Sequence, residues 1–184
     1  MIKTLLASAT LAFASGGAWG WDDDSGSQAA RMTPSLADRL APELGRFAVI
    51  NRVVSGPGEM AELHFTVDTR PALGGQGVRT VWRDAEDGAF FGELTRILDP
   101  ETGEVVQHWF AAARGEWAVT RQAVRFLADG HGSEFTGEDG FGAFDARTRT
   151  THNADGSYGW TIERRYPGTE WFLVDRGEAV PVED

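Results

Sequence analysis

Three polar residues, Glu93, Gln107 and Arg121, carry the clearest indication of chemistry in this sequence of 184 residues. If the DPETG turn centres on Glu101 and residues 113–115 form a three-residue loop, strand pairing puts all three on one face. The same face would carry the aromatic side chains of Phe91, Trp109 and Trp117. A few fixed hydrogen-bonding groups in an apolar wall are typical of a small-molecule site, so we predict one here.

The opposite face of these segments is almost as apolar as the first. It carries Leu94, Leu98, Val106, Phe110, Val124 and Phe126. Alternation therefore leaves open which face points inward. If the second face fills the core, Glu93 and Arg121 are ordinary surface charges.

A second group of charged and aromatic residues lies between residues 145 and 166. Residues 154–156, Ala-Asp-Gly, fit a three-residue hairpin loop that ends with Gly156 in the left-handed region. This register sets Asp145 opposite Arg165 and Arg147 opposite Glu163, two opposite-charge pairs. We predict that this face of the hairpin, which also carries Arg149, is exposed to solvent.

Arg164 lies on the other face of the same hairpin, with His152, Tyr158 and Trp160. An unpaired guanidinium among aromatic rings costs several kcal/mol, so Arg164 must find a carboxylate, a ligand anion or the mouth of the fold. The alternative is that its head group merely extends to the rim.

These observations predict a binding site in the interior of the fold. Its aromatic wall would come from Trp82, Trp109, Tyr158 and Trp160. Arg121 or Arg164 would orient a polar or anionic group of the ligand, with Glu93 and Gln107 nearby.

The four histidines show no spacing that indicates a metal site. They are His64, His108, His131 and His152. Neither H-x-H nor H-x-x-x-H occurs, and the chain has no cysteine. We therefore predict no metal and no cofactor; a single histidine bound to haem iron stays open, but no residue is singled out for it.

Short alternating runs separated by turn signals fill the chain from Arg46 to Val180 and predict about ten strands. The expected strands are 46–54, 60–68, 77–83, 89–98, 104–112, 116–127, 132–138, 144–152, 158–166 and 170–179. Runs joined by tight turns pair antiparallel, and closure removes exposed edges. We predict an all-β, antiparallel up-and-down barrel, with a two-sheet sandwich as the alternative.

A short helix precedes the first strand. Thr33 is the expected N-cap, Pro34 suits the first helical position, and Pro42 ends the helix. Leu36 and Leu40 lie four residues apart on one face. We expect this helix to cap one end of the barrel.

The N-terminal 20 residues are typical of a secretory signal peptide, with a cationic start, an apolar run and small residues before cleavage after Ala18 or Gly20. We expect a disordered leader over 21–32, one barrel domain over 33–180 and a tail over 181–184. The protein would then be periplasmic or secreted. No apolar run reaches the roughly 20 residues that span a membrane.

The charge balance of the chain is acidic. Lys3 is the only lysine, so removal of residues 1–20 leaves 16 arginines against 28 acidic residues, a formal net charge of −12. Such a surface repels nucleic acid and anionic lipid and favours solubility.

Several blocks of the sequence are similar to those of a known kind of domain. They are LAPELGRF, FFGELTRILDPETGEVVQHWF, EFTGEDGFGAFDARTRT and GSYGWTIERRYPGTEWFLV. Over residues 36–180 the chain resembles the lipocalin-like, calycin-type barrel domains of unknown function that occur in many bacterial genomes. The resemblance implies a barrel and carries no catalytic motif. The chain departs from it in the RPALGGQG segment and in its secretion signal.

The sequence favours a barrel that binds a small apolar or amphipathic molecule. One alternative is an isomerase or lyase on the same barrel, with Glu93 or His108 as the proton shuttle. The other is an interaction module with a filled core that works through its acidic surface or through an exposed strand edge.

Overall fold

Ten antiparallel strands make up most of the part of the protein that a computed structural model describes, residues 34 to 183. The strands are β1 (Gly45–Gly56), β2 (Glu59–Ala72), β3 (Gly77–Asp84), β4 (Phe90–Leu98), β5 (Val105–Ala111), β6 (Glu116–Leu127), β7 (Gly130–Asp139), β8 (Gly142–His152), β9 (Tyr158–Arg165) and β10 (Phe172–Pro181). The helical segments are α1 (Leu36–Arg39) and two 3-10 helices, Ala41–Glu43 and Leu73–Gly75. We call α1 and the first 3-10 helix together the plug.

The sheet closes into a barrel with up-and-down order. Each strand pairs antiparallel with the next along the chain, and β1 pairs with β10 from Phe47 opposite Pro181 to Val53 opposite Asp175. The predicted barrel is confirmed, and the sandwich alternative is wrong. The expected signal peptide and leader lie outside the described residues. No helix between residues 34 and 183 is long and apolar enough to cross a membrane.

The plug begins two residues later than expected. Ser35 rather than Thr33 is the N-cap, and its hydroxyl accepts a hydrogen bond from the Asp38 amide at 3.2 Å. The Asp38 carboxylate in turn accepts from the Ser35 amide at 3.0 Å, which completes a capping box. Leu36 and Leu40 are buried against Val78, Val105 and neighbouring apolar side chains at one end of the barrel. This packing closes that end; we call the opposite end the mouth.

The hairpin between β8 and β9 has the predicted register. The Asn153 amide donates to the Ser157 carbonyl at 2.8 Å, and Gly156 has a φ of 82°. Asp145 stands opposite Arg165 and Arg147 opposite Glu163, each pair with an N–O distance of 2.6 Å. The loop residues determined this register because only Gly156 adopts the left-handed conformation without strain.

The registers predicted for β4, β5 and β6 are wrong by one residue. The loop between β5 and β6 has four residues, 112–115, so that Trp109 faces Ala118 and Val106 faces Arg121. The turn after β4 is longer too and places Gln107 opposite Arg96. A shift of one residue moves a side chain to the other face of a sheet. Glu93 and Arg121 therefore do not share a face with Gln107.

Aromatic side chains fill the middle of the barrel. The Trp82 ring lies 5.9 Å from the Trp160 ring and 6.2 Å from the Trp109 ring, in edge-to-face contacts. Since β3 and β9 are not neighbours in the sheet, the contact between Trp82 and Trp160 crosses the interior. Phe47, Phe65 and Tyr158 are buried in the same cluster.

Candidate functional site

Two groups of polar side chains lie inside the barrel, one under the plug and one nearer the mouth. The first, which we call the Glu43 cluster, contains Glu43 of the plug, Arg96 of β4, His131 of β7 and His152 of β8. Arg96 Nη2 donates to Glu43 Oε2 at 2.7 Å. The Nε2 atoms of His131 and His152 lie 2.7 and 3.2 Å from Glu43 Oε1. Three strands thus converge on one carboxylate.

Glu43 is ionised in this setting although its side chain is only 5 % exposed. Burial opposes ionisation, but the charge of Arg96 and the hydrogen bonds from His131 and His152 outweigh it and hold the pKa of Glu43 well below its ordinary value. The carboxylate is therefore a fixed negative charge under the plug. It neutralises Arg96, which is also buried.

Tyr158 lies between the two polar groups. Its ring is 6.4 Å from that of His152 and 6.1 Å from that of Trp160. Burial and the nearby charge of Glu43 raise the pKa of Tyr158 well above its ordinary value, so the hydroxyl keeps its proton. The predicted wall residue Tyr158 thus points inward, as expected from its aromatic neighbours.

The second polar group, which we call the Asp175 cluster, joins Asn51 of β1, Trp82 of β3, Trp160 of β9 and Asp175 of β10. Trp160 Nε1 donates to Asp175 Oδ1 at 2.9 Å, and Asn51 Nδ2 donates to Asp175 Oδ2 at 3.3 Å. Asn51 Oδ1 and Trp82 Nε1 are buried and have no hydrogen-bond partner within residues 34–183. A buried polar atom without a partner costs about 1–3 kcal/mol, so these two atoms call for an explanation.

The pKa of the Asp175 carboxyl is shifted in the opposite direction to that of Glu43. Burial raises the pKa of Asp175 above its ordinary value, and the hydrogen bonds from Trp160 and Asn51 and the charge of Arg164 only partly offset this effect. No cation within 4.0 Å pairs with Asp175 among the described residues. Proton uptake by this group is therefore easier than by an exposed aspartate.

Arg164 lies near the mouth and has found a carboxylate. Its Nη1 donates to Asp139 Oδ2 at 2.9 Å, and its guanidinium stands 4.3 Å from the centre of the Phe144 ring. Tyr166 donates its hydroxyl hydrogen to the same Asp139 oxygen at 2.7 Å. The expectation that Arg164 needs a partner is thus met within the protein, and its charge is neutralised there.

Six of the eight predicted site residues lie on the inner face of the barrel. They are Trp82, Gln107, Trp109, Tyr158, Trp160 and Arg164. Glu93 and Arg121 lie on the outer face, where Glu93 pairs with Arg79 at 2.5 Å and Arg121 pairs with Asp99 at 3.1 Å. The prediction that Glu93, Gln107 and Arg121 meet is therefore wrong.

The proton-shuttle alternative fails as well, because both of its candidate residues lie on the outer face of the barrel. His108 stands opposite Thr95 and Val119, and so it shares the outer face with Glu93. Neither side chain reaches the interior, where the alternative requires an acid or a base.

The sequence reasoning missed the Glu43 cluster and most of the Asp175 cluster. Glu43, His131 and His152 come from three separate elements, and a search for metal spacing along the chain does not detect neighbours across a barrel. Asp175 was not predicted, because a single acidic residue in a strand is usually exposed to solvent. The one available signal was His152, which shares the predicted aromatic face of its hairpin.

Two grooves lie on the outer wall, away from these clusters. One, of about 860 Å³, is lined by residues of β1, β2 and β3 that include Arg46, Asp68 and Arg83. The other, of about 410 Å³, runs beside Arg52, Arg149 and other residues of β1, β8, β9 and β10. It touches Tyr158 and Trp160, but their side chains point to the other side of the sheet.

Comparisons with known proteins add no further assignment. No protein-family model matches the chain, and no curated protein shows significant similarity to it. The ten-stranded barrel is consistent with the calycin-like architecture that the sequence resemblance implies. Membership of the lipocalin-like family stays a prediction.

Proposed function

We propose that the barrel binds a small amphipathic molecule at the Asp175 cluster. The observation that carries the proposal is the pair of buried polar atoms without a partner, Asn51 Oδ1 and Trp82 Nε1. Native proteins rarely leave such atoms unsatisfied, and a ligand that meets both removes the cost. Glu93 and Arg121 are excluded from this site because they lie on the outer face.

The two atoms define the polar part of the ligand. Asn51 Oδ1 accepts a hydrogen bond and Trp82 Nε1 donates one, so a ligand that satisfies both carries a donor and an acceptor, as an amide or an alcohol does. Asp175 adds a third group, whose carboxyl takes up a proton at a higher pH than an exposed aspartate does because burial raises its pKa. A strongly anionic ligand is disfavoured beside this carboxyl.

The surroundings define the apolar part of the ligand. Phe65 belongs to the buried hydrophobic cluster in the middle of the barrel. Leu63 and Phe91 pack against this hydrophobic cluster, as Trp82 and Trp160 do. Aromatic and aliphatic walls with few polar groups are typical of sites for small molecules. The ligand enters from the mouth, because the plug closes the other end, and it displaces the edge-to-face contact between the tryptophan rings.

Tryptophan fluorescence tests this proposal directly. The full chain is titrated with neutral amphipathic amides and alcohols and with any molecule that native mass spectrometry detects in the purified protein. Trp82→Phe removes the N–H and keeps a ring, and Asn51→Leu removes the acceptor. Each should weaken binding by about tenfold, the equivalent of one buried hydrogen bond.

Glu93→Gln is the matched control. It should leave the affinity unchanged, because Glu93 lies on the outer face of the barrel, where it pairs with the exposed Arg79. If Trp82→Phe and Asn51→Leu bind as the unaltered chain does, the Asp175 cluster is not the binding site. If no neutral amphipath binds at all, the proposed function is wrong.

We also propose that the protein acts in the periplasm or outside the cell. The proposal rests on the signal-like order of residues 1–20, with a cationic start, an apolar run and small residues. Mass spectrometry of the exported protein should find a new N-terminus after Ala18 or Gly20. A cell-retained protein that still begins at Met1 would contradict it.

A further inference from the structure

We propose that Glu43, His131 and His152 form a binding site for a divalent transition-metal ion of the zinc class. The candidate ligand atoms, one from each residue, lie within 4.8 Å of one another. This site is separate from the Asp175 cluster, and the inference does not depend on the proposed ligand-binding function.

The geometry needs only small side-chain movements to hold a metal. Metal–ligand distances of about 2.1 Å in a tetrahedral site place ligand atoms about 3.4 Å apart. Glu43 Oε1 is 2.7 Å from His131 Nε2 and 3.2 Å from His152 Nε2, and the widest pair is separated by no more than 4.8 Å. The metal ion takes the place of the Nε2 protons that now join each ring to Glu43 Oε1, so both histidines bind it as the neutral tautomer with the proton on Nδ1, and the two ring–carboxylate pairs move apart slightly.

The surroundings prepare the carboxylate for this role. Arg96 Nη2 holds Glu43 Oε2, so that Oε1 alone faces the two histidines. A positioned partner of this kind orients a metal ligand and fixes it as monodentate. The side chains of His131 and His152 are 12 % and 15 % exposed, so the site excludes most solvent.

The ligand set indicates the kind of ion. Two imidazoles and one carboxylate suit Zn²⁺, Co²⁺, Ni²⁺ or Fe²⁺ and disfavour Ca²⁺ and Mg²⁺, which prefer oxygen ligands. Three protein ligands leave one tetrahedral position for water or an anion. Because Arg96 adds a positive charge, an anionic fourth ligand is favoured.

Metal titration of the full chain tests the site. The protein is stripped with a chelator, and Zn²⁺ binding is measured by calorimetry and Co²⁺ binding by its visible absorption. We expect one ion per chain and a tetrahedral Co²⁺ spectrum. His131→Ala and His152→Ala should each weaken binding by at least about 100-fold.

Two controls separate this result from nonspecific binding and from unfolding. His108→Ala, on the outer face, should leave metal affinity unchanged. Circular dichroism checks the folding of each variant. If His152→Ala unfolds, His152→Asn replaces it. A rise in melting temperature on Zn²⁺ addition in the unaltered chain, absent in the His152 variant, supports the site.

Several outcomes overturn the inference. They are the absence of stoichiometric Zn²⁺ binding, equal binding by folded His131 and His152 variants, and an octahedral Co²⁺ spectrum that His108→Ala abolishes. In each case the Glu43 cluster serves only to hold the plug on the barrel. None of these outcomes changes the fluorescence result for the Asp175 cluster, because that experiment contains no metal.

Discussion

Glu43 shows how a single buried charge is tolerated in this protein. The carboxylate accepts hydrogen bonds from Arg96 and from two histidines, and it reaches them from the plug rather than from a strand. Every partner is at least partly buried. Such a network adds little stability compared with an apolar core, but the loss of one member is costly because it leaves the others uncompensated.

We therefore expect Glu43→Gln to lower the free energy of unfolding by about 3–5 kcal/mol, since it leaves the Arg96 charge buried without an anion. Urea denaturation at neutral pH measures the change. Glu93→Gln, whose partner Arg79 is exposed, should cost no more than about 1 kcal/mol. Equal costs for the two variants would show that the buried pair has no special role.

The sign of the pH effect follows from the lowered pKa of Glu43. Its contribution to stability is present above the ordinary glutamate pKa and is lost as the pH falls through the depressed native value. The difference between the unaltered chain and Glu43→Gln should therefore shrink on acidification. A difference that grows at low pH would contradict this.

Asp175 should give the opposite pH dependence, because its native pKa is raised. The native state binds this proton more tightly than the unfolded state does. The stability contributed by Asp175 is therefore complete below the ordinary aspartate pKa and falls as the pH rises through the raised value. Asp175→Asn is neutral at every pH and should lack this fall.

Melting temperatures from about pH 3 to about pH 7 measure this effect. Both proteins share the contribution of Glu43, so the difference between them isolates Asp175. A difference that does not vary with pH would show that Asp175 titrates as an exposed carboxyl does.

At the scale of the element, one glycine makes room for a functional ring. Gly177 of β10 stands opposite Trp160 of β9, and the Trp160 ring occupies the space where a side chain at position 177 would lie. A Cβ at this position would overlap the ring. The hydrogen bond from Trp160 to Asp175 thus depends on the missing side chain of Gly177.

Gly177→Ala should destabilise the protein by about 1–3 kcal/mol through overpacking. It should also change the near-ultraviolet circular dichroism, because the Trp160 ring must leave its place. Gly56→Ala is the control, since a Cβ there meets only the flexible Glu59 side chain. A Gly177→Ala protein with unaltered stability and spectrum would contradict the packing described here.

The strands themselves were predictable from sequence because alternation and turn residues are local signals. The β8–β9 register was predictable too, since Gly156 leaves one loop conformation. The registers of β4, β5 and β6 were not predictable, because both faces of these strands carry apolar side chains. A loop of three residues and a loop of four residues between β5 and β6 therefore fit the sequence equally well.

The candidate sites depend on closure of the whole barrel, which explains why sequence reasoning found them only in part. His131 and His152 meet Glu43 because β7, β8 and the plug converge at one end. The sequence predicted correctly that the side chains of Trp82 and Trp160 point into the barrel. Their contact across the interior forms only when β1 pairs with β10.

Removal of β10 should therefore open the molecule. A chain that ends at Trp171 loses the partner of both β1 and β9, and the free edges should cause aggregation. Size-exclusion chromatography and thioflavin T fluorescence measure this. A control truncation that removes only Glu183 and Asp184 should stay monodisperse to the same degree as the full chain; aggregation of both would attribute the effect to the terminus itself.

Gly45, where β1 begins, and Pro181, where β10 finishes, meet at the plugged rim, since Phe47 pairs with Pro181. A fusion partner or surface tether joined through either flank of the barrel is consequently attached on that side. The mouth, with Asp139, Arg164 and Tyr166, then points away from the support. Immobilised protein should thus present one uniform orientation, whichever flank carries the linker.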